Sequence, residues 1–76
     1  MIKKEVEIDA HFDESGLCTP KCLYFDQKPY VIDKVTQIKK IASSVYYTDV
    51  RYTIVINNKT RYLYRYKDMW YVEIEN

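Results

Sequence analysis

The sequence predicts an all-β, mainly antiparallel domain, a small barrel or roll of five to six strands with at most one short helical turn. Three observations carry that reading. Nine tyrosines stand against one glycine and two prolines, a bias toward side chains that fit a pleated, half-buried surface. Apolar and polar residues alternate with a period of two over several stretches. Turn chemistry interrupts those stretches at short intervals.

The first strand spans about residues 4–12, with Val6, Ile8, Ala10 and Phe12 on one face and Glu5, Glu7, Asp9 and His11 on the other. Asp13-Glu14-Ser15-Gly16 then turns the chain, and the sole glycine supplies any positive φ the turn requires. A short second strand is expected near 21–25, a turn at Asp26-Gln27-Lys28-Pro29, and a third strand from Tyr30. Ile32, Val35, Ile38 and Ile41 recur every three residues. That spacing fits either a helical turn or a bulged strand, and the short length and β-branched content favour a bent strand over 33–42. A loop carrying Val45, Tyr46 and Tyr47 is expected over 43–49. The strongest signal is a β-hairpin, 50–56 and 60–66 around Asn57-Asn58-Lys59, followed by a tight Lys67-Asp68 turn into a last strand over 69–75. Exposed edges on so small a sheet invite aggregation, so closure into an SH3-like barrel or roll is expected, with the bent strand serving both sides.

Seventy-six residues make one domain, 1–76, and nearly half of them are hydrophobic, enough for a core. A domain of this size buries only about 60–65% of the surface its unfolded chain exposes, so its stability is thin. The N-terminus alternates charge with apolar residues and lacks the apolar run of a signal peptide, and no stretch reaches the roughly 20 apolar residues of a membrane span. The expectation is a soluble, cytoplasmic protein with no membrane partner. Cys18 and Cys22, about 13 Å apart if the chain between them is extended, are expected as reduced thiols.

The charge is unevenly laid out. Residues 1–33 carry a net charge of −3, residues 34–67 a net +7, and the remaining C-terminal residues −3. The basic middle also holds Tyr46, Tyr47, Tyr52, Tyr62, Tyr64 and Tyr66. Cations beside aromatic rings suit single-stranded DNA or RNA, since cations neutralise phosphates and each stacked base contributes roughly 1–3 kcal/mol. The same residues also serve as ordinary edge protection and strand formers. Candidate binding residues are Arg51, Lys59, Arg61, Tyr62, Tyr64, Arg65 and Tyr71.

Register decides which of these rings face outward. A three-residue loop pairs Ile54 with Tyr62 and sends the tyrosines to the core, whereas a two-residue loop pairs Tyr52 with Leu63 and Ile54 with Arg61. A two-residue Lys67-Asp68 turn pairs Arg65 with Trp70 and Leu63 with Val72. The second arrangement is favoured, with Leu63, Trp70 and Val72 in the core and the tyrosine face partly exposed.

No catalytic, metal or cofactor site is predicted. Asp9, His11 and Asp13 share a face, but a barrel this small offers little interior for an enclosing pocket. His11, Cys18 and Cys22 fall short of the four ligands a structural zinc site wants.

Gly16, Pro20, Phe25, Tyr30-Val31-Ile32-Asp33-Lys34-Val35, Arg51-Tyr52-Thr53, Leu63 and Trp70 together resemble a group of short bacterial proteins of uncharacterised function. The resemblance spans nearly the whole chain. It implies a compact all-β module and brings no catalytic residues with it, and related-looking segments sometimes accompany DNA-handling proteins. The leading expectation is a non-catalytic module that binds a protein partner, for instance by strand addition at an open edge; the alternative is single-stranded nucleic-acid binding through residues 34–67.

Overall fold

The computed structural model describes residues 2–42 and 48–75. They form seven strands and no helix: β1 (Ile2–Phe12), β2 (Cys18–Phe25), β3 (Lys28–Val31), β4 (Lys34–Ala42), β5 (Thr48–Ile56), β6 (Lys59–Tyr66) and β7 (Met69–Ile74). All pairings are antiparallel, in the order β3-β2-β1-β7-β6-β5-β4. The sheet curls into a half-barrel around one apolar face.

The count of seven corrects the expected five to six. One corner moves a strand boundary and a second adds the extra strand. Asp26 and Gln27 alone make a two-residue turn with positive φ at both positions, so Lys28 and Pro29 are already strand. Ile32 and Asp33 then break the run from Lys28 to Ala42 into β3 and β4. There the Ile32 N–H donates to the Lys21 carbonyl and the Asp33 N–H to the Val55 carbonyl. One two-residue corner thereby ties β2 to β5, the two sides of the curl. Of the loop expected over 43–49, Thr48 and Asp49 belong to β5, and 43–47 lie outside the described residues.

The three-residue spacing of Val35 and Ile38 belongs to a strand, as expected. A β-bulge between Val35 and Gln37 inserts Thr36, so Val35 opposes Ile54 and Ile38 opposes Tyr52 on the same face. A second bulge in the β1–β2 ladder leaves Lys21 unpaired between Cys22 and Pro20, which frees its carbonyl for Ile32. This shift also puts Cys18 and Cys22 on opposite faces of β2, and both are free thiols.

The inner face gathers Val6, Leu23, Ile32, Tyr52, Ile54, Ile56 and Leu63, with Ile8, Phe25, Tyr30, Val35, Val50, Trp70 and Val72 packed partly buried against them. Ile54 and Leu63 are 1% and 0% exposed; burying one such side chain contributes about 1.5–3 kcal/mol. Both hairpins adopt two-residue turns. Tyr52 pairs with Leu63, Ile54 with Arg61, and Arg65 with Trp70.

Candidate functional site

Strand alternation divides the expected binding residues between two faces. Along β6, Lys59, Arg61, Leu63 and Arg65 point inward with Ile56, Ile54, Tyr52 and Val50 of β5. Tyr62 and Tyr64 point outward beside Arg51, and Tyr71 of β7 lies opposite Tyr64. The seven residues therefore do not form one patch.

The outer group is largely consumed by its own packing. Tyr64 and Tyr71 are buried and stacked, ring centroids 5.0 Å apart and planes 7° from parallel. The Tyr71 hydroxyl donates to the carboxylate of Asp49, itself 2% exposed, and the Lys3 ammonium lies 5.0 Å over the Tyr71 ring. Burial, then the Asp49 carboxylate, pushes the Tyr71 phenol above its ordinary range. Burial, then Glu73, does the same for Tyr64. These rings are interior supports rather than stacking platforms, correcting the expectation of a partly exposed tyrosine face. Tyr62 is the exception at 50% exposure, with the Arg51 guanidinium 4.6 Å over its ring. The sequence does not mark Asp49, because a lone acid in a basic stretch carries no signal of burial.

Arg65 is likewise occupied: its guanidinium lies 5.4 Å over Trp70 and 5.7 Å over Phe12, and its Nε donates to the Lys67 carbonyl. The Asp9, His11 and Asp13 set is dispersed. Asp9 accepts from the Tyr24 hydroxyl, which pushes that phenol up to about 12, and Asp13 caps its own turn by accepting from Ser15 and Leu17. Among the described residues no three His, Cys, Asp or Glu side chains gather as a metal cluster.

The feature left over lies between β6 and β7. Their ladder comprises Tyr64–Tyr71, Arg65–Trp70 and Tyr66–Met69, and then the strands part. From there Lys59–Leu63 pairs only with β5 and Val72–Ile74 only with β1 among the described residues. Alternation from the closing pairs Ile56–Lys59 and Tyr66–Met69 aims the backbone N–H and C=O of Thr60, Tyr62 and Glu73 into the gap. A cleft of about 650 Å³ occupies this fork, floored by Leu23, Phe25, Tyr30, Ile54 and Ile56. Thr60, Arg61 and Tyr62 form one wall, and Val72, Glu73 and Ile74 the other. The sequence gives no warning of it, because both strands read as regular. Comparison with protein families, with curated proteins and with solved structures finds no match. The geometry of the fork therefore carries the functional reading.

Proposed function

We propose that this chain is a non-catalytic module of SH3-like type that binds a protein partner by taking an extended segment into the β6–β7 fork. The observation that carries the reading is the interrupted ladder above an apolar floor. Unpaired strand edges recognise an extended chain through main-chain hydrogen bonds, and pockets for alternate side chains add selectivity. The fork offers both at one place: backbone groups of Thr60, Tyr62 and Glu73, and the cleft lined by Ile54, Ile56, Phe25 and Leu23.

The test uses Tyr62→Pro. Proline removes an N–H that faces the fork and not β5, so the β5–β6 ladder keeps its bonds. A photo-reactive side chain at Thr60 identifies the partner in cells, and the isolated partner segment is then titrated against wild type and variant. Loss of binding by a Tyr62→Pro variant whose melting curve stays cooperative supports the reading. Undiminished binding, or a captured partner that is single-stranded nucleic acid with steeply salt-dependent affinity, overturns it.

A further inference from the structure

Building on the fork as a protein-binding slot, we infer that it selects an extended segment that is apolar at one inward position and acidic at the next inward positions. The cations at the fork decide this. Lys59 and Arg61 sit two apart on the inner face of β6, both exposed, and Arg61 opposes the fully buried Ile54. Both line the cleft, and neither has an ion-pair partner among the described residues, where the one salt bridge joins Lys4 to Asp26. The carboxylate on the opposite wall, Glu73, alternates with the inward Val72 and Ile74 and so faces outward, away from the two cations. The uncompensated charge at the open end of an otherwise apolar slot is therefore positive.

A strand laid in the fork places its inward side chains in rows set by the two walls. The row nearest the closed end meets Val72 and the apolar floor of Leu23, Phe25 and Ile54, and an aliphatic residue fits there. The next row lies between Arg61 and Ile74, where a glutamate rests its stem on Ile74 and its carboxylate against the guanidinium. The row after that reaches Lys59. The pattern is apolar-x-acidic-x-acidic, and the outward x positions run past the Tyr62 ring. A basic or neutral segment leaves both cations facing an apolar wall without a counter-charge, which is how the slot discriminates.

The experiment uses blocked ten-residue peptides of alternating pattern, threonine outward and valines followed inward by two glutamates, two glutamines or two lysines, in both chain orders. Amide shifts of the ¹⁵N-labelled protein report where each binds, and their dependence on concentration reports how tightly. The expected result is perturbation of Thr60, Tyr62 and Glu73, with the glutamate peptide about tenfold tighter than the glutamine one, roughly threefold per cross-strand ion pair. That preference shrinks with added salt and disappears in Lys59→Gln/Arg61→Gln, to which the glutamate and glutamine peptides bind equally. Equal binding of all three peptides at the fork overturns the acidic selectivity and leaves strand addition standing. No perturbation of the fork amides by any peptide overturns both. A poly-deoxythymidine strand that displaces the glutamate peptide with the same dependence on Lys59 and Arg61 reassigns the cations to phosphate. Fork shifts that grow with protein concentration alone put a second copy in the slot. Either of these last results overturns the inference.

Discussion

At the scale of single residues, the outer face is governed by a carboxylate–phenol pair that no solvent screens. Asp49 sits almost wholly buried on β5, and the Tyr71 hydroxyl reaches it from β7 with β6 between them. A hydrogen bond to a charged group contributes about 1.5–3 kcal/mol, and removing one partner leaves the other desolvated. Tyr71→Phe is therefore expected to destabilise the domain by about 2 kcal/mol in urea titrations with the m-value unchanged; a loss below 0.5 kcal/mol, roughly the floor for any intramolecular hydrogen bond, removes the pair from the account. The same phenols set an alkaline limit. Tyr71, Tyr64 and Tyr24 all have folded pKa values raised above the ordinary 10. A raised folded value means that the stabilisation is fully present below pH 10 and is lost as pH climbs through the folded value. Stability is expected to hold level from neutral pH to about 10 and then fall. An absorbance titration should show tyrosinates appearing in two groups, the later one coinciding with unfolding.

At the scale of elements, β6 has a divided life. Its second half is sandwiched between β5 and β7, and its first half is paired on one side only. Alternation makes the consequence specific, because Arg61 and Leu63 bond toward β5 while Thr60 and Tyr62 face the fork. Hydrogen exchange should therefore alternate along a single strand, with the amides of Arg61 and Leu63 protected and those of Thr60 and Tyr62 fast. The Glu73 amide should match the fast group. Uniform protection from Lys59 to Tyr66 would close the fork and take the proposed binding mode with it. The turns beside these strands are chosen by conformation: Asn57 and Asn58 both hold positive φ, a state asparagine tolerates and one that matches the twist of the flanking strands.

At the scale of the whole molecule, curl substitutes for a closed barrel. The radius of gyration is 12.2 Å, a little above the roughly 11 Å of a compact chain of this length, in keeping with an open sheet whose edge strands β3 and β4 do not pair among the described residues. The corner at Ile32-Asp33 holds that curl. The Asp33 N–H reaches Val55, and its carboxylate accepts from the Asn57 N–H at 3.1 Å. Asp33→Ala keeps the backbone bond and deletes the side-chain one, so a loss of about 1 kcal/mol is expected. In a domain this small that is a fall in Tm of roughly 4–8 °C, read by calorimetry. An unchanged Tm would show that the corner is held by its backbone alone. No described helix is long and apolar enough to cross a membrane.

The all-β class, the two tight hairpins and the inward placement of Leu63, Ile54 and Tyr52 were legible in the chain, because alternation and turn residues act over neighbours that the sequence lists side by side. The three-residue spacing of Val35 and Ile38 was legible as a bent strand for the same reason, since one inserted Thr36 is a local event. The break at Ile32-Asp33 was not, because it is held by carbonyls of Lys21 and Val55 that lie far away in sequence. Nor was the burial of Tyr64, Tyr71 and Asp49, which depends on which strand lies across the sheet. The fork belongs wholly to tertiary structure. β7 pairs with β1 on one side and with β6 on the other, and the two demands part the strands at a point that no local pattern marks.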